Sequence, residues 1–129
     1  MEQKPQRVLV ADDYTNMRLL LVTMLRSLGY QRIDQVSNGA EAVAQFKRGH
    51  HQIVFLDLNM PGMDGMQALA EIKAIEPQVF VVIQTGDATA DNVRKAVELG
   101  VGGFLAKPYS LDKVRAAISR YAPRSDPAV

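Results

Sequence analysis

The sequence contains no cysteine and no tryptophan. Without cysteine there are no disulfides, and thiolate zinc or iron–sulfur sites are excluded as well. Long apolar runs are also missing, and no stretch approaches the ~20 residues that span a bilayer. The polar start, Met1 to Arg7, is followed by only a short apolar run, so no signal peptide is visible. No charge of one sign dominates, since 15 Lys and Arg face 14 Asp and Glu for a formal net charge of +1. That balance removes the broad basic surface expected of a nucleic-acid-binding domain. Together these absences predict a cytoplasmic chain with no membrane insertion and no direct nucleic-acid contact.

What is present is an ordinary globular composition, 47% hydrophobic and 22% charged over 129 residues. A chain of this length can bury a core without metal or disulfide staples. It is expected to form a single domain over residues 1–129, with its core at about 7–121. Residues 122–129, with Pro123, Pro127 and little to bury, read as a frayed tail.

Five short apolar runs alternate with longer amphipathic segments. The runs are Val8 to Ala11, Ile33 to Val36, Ile53 to Leu56, Val79 to Ile83 and Phe104 to Ala106. Nearly continuous apolar runs suit strands covered on both faces of a parallel sheet, with the intervening helices as crossovers. In the first helix Met17, Leu20, Leu21, Met24, Leu25 and Leu28 form one stripe at spacings of three and four, closed by Gly29. A second helix runs from about Ala40 to Arg48, with Ala40, Val43, Ala44 and Phe46 inward and Gly49 beyond its end. A third follows Asp64 as N-cap, with Leu69, Ile72 and Ile75 inward. A fourth lies near Asp91 to Leu99 and ends at Gly100. A fifth starts after Ser110 as N-cap. The fold class is therefore α/β.

Polar residues then fall at the strand ends. Asp12 and Asp13 follow the first strand, Asp57 the third, Thr85 the fourth and Lys107 the fifth. In an open parallel sheet the carboxyl ends of the strands share one edge, where ligands bind. Three carboxylates held close repel one another unless a cation compensates. An all-oxygen set of this kind suits Mg²⁺, which also neutralises phosphoryl oxygens during transfer. Lys107 adds a positive point charge and Thr85 a hydroxyl donor, leaving Asp57 as the natural nucleophile of an aspartyl phosphate.

With Asp12-Asp13, the run Asp57-Leu58-Asn59-Met60-Pro61-Gly62-Met63-Asp64-Gly65, Thr85-Gly86 and Lys107-Pro108 in order, the chain resembles the response-regulator receiver family. The resemblance covers about Arg7 to Tyr121 and is strongest to the chemotaxis-type single-domain receivers. It implies a doubly wound, flavodoxin-like (βα)5 fold with a five-stranded parallel sheet of order 2-1-3-4-5. It also implies two-component signalling, in which a histidine kinase or histidine phosphotransfer protein phosphorylates Asp57. Mg²⁺ would be held by Asp13, Asp57 and the Asn59 backbone carbonyl, with Asp12 acting largely through water. Thr85 and Lys107 would bind the phosphoryl oxygens, and Lys107-Pro108 would be a cis peptide. Asn59 and Asp87 would tune the lifetime of the acyl phosphate. Phe104 takes the aromatic switch position, where many members carry Tyr, and lacks the hydroxyl that would bond in the inward state.

Two partner surfaces follow. Leu19 and Val22 fall opposite the first helix's core stripe, beside Arg18 and Arg26, on the element that meets the phosphodonor in receivers. The second surface, on the fourth helix, fifth strand and fifth helix, includes Arg94, Lys95, Glu98 and Lys113 and would meet a downstream target. His50-His51 reads as an exposed loop pair away from the rim. The chain is expected to be a switch and not an enzyme, beyond catalysing its own phosphorylation and dephosphorylation. Two alternatives stand beside it. One is a phosphate-independent interaction module of the same fold. The other is a Mg²⁺-dependent aspartyl-phosphate phosphatase, disfavoured because the pair spaced by two residues is Asp57 and Asn59, after the third strand and not the first.

Overall fold

The computed structural model describes residues 3–86, 89–107 and 109–121. Strands β1 (Lys4–Ala11), β2 (Tyr30–Val36), β3 (Ile53–Asp57), β4 (Phe80–Thr85) and β5 (Gly103–Ala106) alternate with five helices. These are α1 (Thr15–Ser27), α2 (Gly39–Gly49), α3 (Gly65–Ile75), α4 (Ala90–Glu98) and α5 (Leu111–Ile118). The sheet is parallel throughout, with order β2-β1-β3-β4-β5. The order reverses at β1, so the crevice at the carboxyl ends opens beside β1 and β3.

Side-chain alternation along each strand feeds two cores. Val8, Val10, Ile53, Phe55, Val82 and Leu105 pack with buried residues of α1 and α5. Leu9, Ala11, Val54, Leu56, Val81 and Ile83 pack on the other face with those of α2, α3 and α4. This two-sided burial explains why β3 reads as Ile-Val-Phe-Leu-Asp with every position buried. Each such aliphatic or aromatic side chain contributes about 1.5–3 kcal/mol by leaving water.

Four helices begin with a side-chain cap. Asn38, Asp64, Thr89 and Ser110 accept from the backbone N–H of Glu41, Gln67, Asn92 and Lys113, respectively. Helix α1 differs, because Tyr14 occupies its N-cap position and supplies no side-chain bond.

The expected inward faces need correction in three helices. In α1, Val22 is 2% exposed and Leu20 41%. At about 100° per residue Val22 lies about 60° from the buried Leu25, whereas Leu20 lies about 140° away. Because α1 packs against β2 as well as α5, its buried arc turns toward Val22. In α2 the buried residues are Gly39, Ala42, Val43 and Phe46, while Ala40 and Ala44 face solvent. The helix also includes Gly49, and His50 takes the left-handed C-cap at φ 47°. In α3 the last predicted inward residue, Ile75, is exposed.

Candidate functional site

Backbone ladders that run past the strand ends place the polar residues. Asp12 N–H donates to Val36 O, Leu58 N–H to Gln84 O, and Lys107 N–H to Thr85 O. Each ladder carries its strand's polar terminus to the same rim. Carboxylate oxygens of Asp12, Asp13 and Asp57 lie within 4.8 Å of one another. Asp12 and Asp57 are buried and Asp13 is exposed, so the cluster has a dry floor and one open side.

Lys107 reaches across this floor. Its Nζ lies 2.6 Å from Asp57 Oδ2 and 3.3 Å from Asp12 Oδ2. Asp57 Oδ1 accepts from the Asn59 N–H at 3.0 Å, and Asp12 Oδ1 accepts from the Tyr14 N–H at 2.9 Å. Asp12 Oδ2 is within ion-pair reach of Lys107 but receives no hydrogen bond. Burial pushes the Asp12 carboxyl above the usual carboxylate range, and the Asp57 charge adds to it. The Tyr14 N–H and Lys107 pull the other way without cancelling the rise. For Lys107 burial acts downward, but its hydrogen bond to Asp57 and its attraction to the Asp57 and Asp12 charges outweigh it and leave the ammonium above its ordinary value. The ammonium therefore stays charged, as a counter-ion to a carboxylate group with excess negative charge.

The fit to a hard divalent ion rests on this excess. Three oxygen-bearing side chains share one small volume, one of them with a bare buried oxygen, and a single lysine opposes them. That donor set matches Mg²⁺, which favours a few carboxylates plus water.

Residues 8–119 match the response regulator receiver domain family. The chain belongs to that family. Among curated relatives, Sporulation initiation phosphotransferase F of Bacillus subtilis is 33% identical over 92% of this chain and 94% of its own. Chemotaxis protein CheY of Bacillus subtilis is 33% identical over 88% of this chain and 95% of its own. Among solved structures, the CheX–CheY–BeF3–Mg²⁺ complex from Borrelia burgdorferi matches with a TM-score of 0.85 at 29% identity, covering 88% of this chain and 87% of that one. The receiver domain of sensor histidine kinase PA1611 from Pseudomonas aeruginosa, with magnesium in its active-site cleft, matches with a TM-score of 0.81 at 28% identity. That match covers 91% of this chain and 97% of the other. This chain is thus a response regulator receiver of two-component signalling, with the flavodoxin-like, CheY-type fold. Receivers are signalling modules that bind Mg²⁺ at an acidic pocket. Among the described residues no helix is long and apolar enough to cross a membrane.

The structure brings Asp12, Asp13, Asp57, Thr85 and Lys107 to one rim, with the exposed Asn59 beside it. Asp87 and Pro108 lie outside the described residues, so the tuning role of the first and the cis peptide of the second gain nothing here. Phe104 is half-buried against the α2–α4 core, and a groove of about 340 Å³ joins it to Lys113 and Arg120. Arg94, Lys95 and Glu98 are exposed on α4, outside that groove.

Two expectations fail. Val22 belongs to the core and presents no surface; the large apolar residues exposed on and just before α1 are Tyr14, next to Lys107, and Leu19 and Leu20. His51 is 2% exposed, not a free loop residue, and its Nε2 bonds Asp34 Oδ2 at 2.7 Å because the turn after His50 folds the ring beneath Phe46. Residues that the motifs did not flag also support the rim. The Arg18 guanidinium donates to the Asp12 carbonyl at 2.8 Å, and the Tyr109 hydroxyl donates to the Met17 carbonyl at 3.0 Å. Only Tyr109's position two residues past Lys107 hinted at such a contact.

Proposed function

We propose that Asp57 accepts a phosphoryl group from a phosphohistidine on a kinase or phosphotransfer partner, and that the change in charge switches a partner-binding face. The observation that carries this reading is the cluster of three carboxylates within 4.8 Å, with Lys107 2.6 Å from Asp57. An Asp57 carboxylate oxygen attacks phosphorus, an O–P bond forms, and the N–P bond breaks with the electron pair returning to the imidazole. Asp12, Asp13, Asp57 and the Asn59 carbonyl would hold Mg²⁺, which when bound neutralises charge on the phosphoryl oxygens. Lys107 leaves the carboxylate for a phosphoryl oxygen, and Thr85 donates its hydroxyl to another. Attack of water on the phosphorus, with the O–P bond to Asp57 breaking and inorganic phosphate leaving, would let the domain dephosphorylate itself.

The donor would dock on the start of α1, where Tyr14, Leu19 and Leu20 are exposed. Output would leave through Phe104 and the face that carries Arg94, Lys95, Glu98 and Lys113.

The test is intact mass after incubation with Mg²⁺ and acetyl phosphate. A labile gain of one phosphoryl group is expected, absent from Asp57→Asn and absent without Mg²⁺. No gain from acetyl phosphate or from any histidine-phosphorylated donor would reduce the chain to a phosphate-independent interaction module. The same assay tests the docking face, which is refuted if Leu19→Asp with Leu20→Asp leaves transfer from a protein donor unchanged.

A further inference from the structure

Helix α1 starts without a side-chain cap and has no acidic residue in its first turn. The N–H groups of such a turn gain no local partner, so contacts from outside the helix fix where it begins. Three such contacts come from the pocket's own residues. Tyr14 N–H donates to Asp12 Oδ1, Arg18 donates to the Asp12 carbonyl, and the Lys107 ammonium lies 5.9 Å from the centre of the Tyr14 ring.

The fourth contact comes from the turn after β5. Tyr109 is 6% exposed, and its hydroxyl donates to the Met17 carbonyl, 92 residues away in sequence, at 3.0 Å. The ring belongs to the same buried cluster as Leu21 and Val22 of α1 and Leu105 of β5, so it spans the two elements within one packed core. Burial and the nearby Asp12 and Asp57 charges push the phenol far above its ordinary value, which keeps the donor proton in place.

We infer that Tyr109 is a positioning residue that ties the Lys107 turn to the first turn of α1, so that occupancy of the phosphoryl pocket is transmitted to the apolar face at Tyr14, Leu19 and Leu20. When Lys107 moves to meet a phosphoryl oxygen, the backbone two residues on is drawn with it. The Tyr109 hydroxyl carries that displacement to the Met17 carbonyl. A side chain without the hydroxyl packs equally well but slips past the helix. The face that receives the donor is thereby altered once the group has been delivered, which favours release of the spent donor. This inference rests on the phosphorylation reading above.

The experiment compares amide chemical shifts of the wild-type protein and Tyr109→Phe as Mg²⁺ and beryllofluoride are added. The phenyl ring fills the same volume, so the core is retained. In the wild type, Asn59 and Thr85 should shift together with Asn16 to Leu21. In Tyr109→Phe the response of Asn16 to Leu21 should fall at least twofold, while Asn59 and Thr85 respond as before. An equal α1 response in both proteins overturns the inference alone. No response at Asn59 and Thr85 in the wild type overturns the phosphorylation reading and the inference with it.

Discussion

Among the described residues three buried side chains hold an atom without a hydrogen-bond partner: His51 at Nδ1, Asp12 at Oδ2 and Gln84 at Oε1. At Asp12 the bare oxygen lies 3.3 Å from the Lys107 ammonium, inside the cluster of three carboxylates. At His51 the bare nitrogen faces apolar packing beneath Phe46, while Nε2 is engaged by Asp34, which Arg7 also approaches at 3.4 Å. Burial lowers the His51 pKa from 6.5; Asp34 opposes this, and Arg7 and His50 add to it. The unfolded chain therefore takes up a proton before the folded one does. Stability from the neutral ring is fully present above pH 6.5 and is lost as pH falls from there through the folded value. The slope from this one group is at most about 1.4 kcal/mol per pH unit. Urea midpoints measured from pH 7.5 down to 5 should fall more steeply for the wild type than for His51→Gln. Equal slopes would place the acid sensitivity elsewhere.

Between elements, glycine controls how closely the site is clamped. A Cβ on Gly65 would sit 2.2 Å from the Asp57 carbonyl oxygen, and one on Gly39 2.2 Å from that of Met63. The start of α3 thus presses on Asp57, the proposed phosphoryl acceptor, and the start of α2 presses on the loop between β3 and α3. Gly65→Ala should cost about 2–3 kcal/mol, as overpacking against backbone does, and should weaken Mg²⁺ binding because Asp57 is displaced. Gly39→Ala should cost a similar amount of stability with a smaller effect on Mg²⁺. Urea unfolding and Mg²⁺ titration of both variants would show this, and equal losses of Mg²⁺ affinity would refute it. The Asp64 cap was legible in the sequence because capping is local chemistry. The need for glycine at 65 was not, because it depends on a carbonyl eight residues away across a packed turn. Val22 was misplaced for a related reason: periodicity finds a stripe, but the neighbours of α1 decide how wide an arc is covered.

For the whole molecule, alternating apolar runs and helical periodicity were enough to place five strands and five helices, since both patterns follow from burial on two faces. Asp12, Asp13, Asp57, Thr85 and Lys107 could be gathered from sequence because parallel strands put their carboxyl ends on one edge. Arg18, Tyr109 and His51 could not, since their partners lie on other elements. Mg²⁺ that binds only the folded state at 100 times its Kd should add about 2.7 kcal/mol of stability. Thermal unfolding with and without Mg²⁺ should show this rise, and Asp13→Asn should remove most of it; an undiminished rise in the variant would place the ion elsewhere. The sheet order has a further consequence for how the protein is made. β2, β1 and β3 are neighbours, so the chain carries the whole acidic half of the rim once it reaches Asp57, and Lys107 follows 50 residues later. Until then the nascent half-sheet must borrow its counter-charge from ions in the surrounding solution.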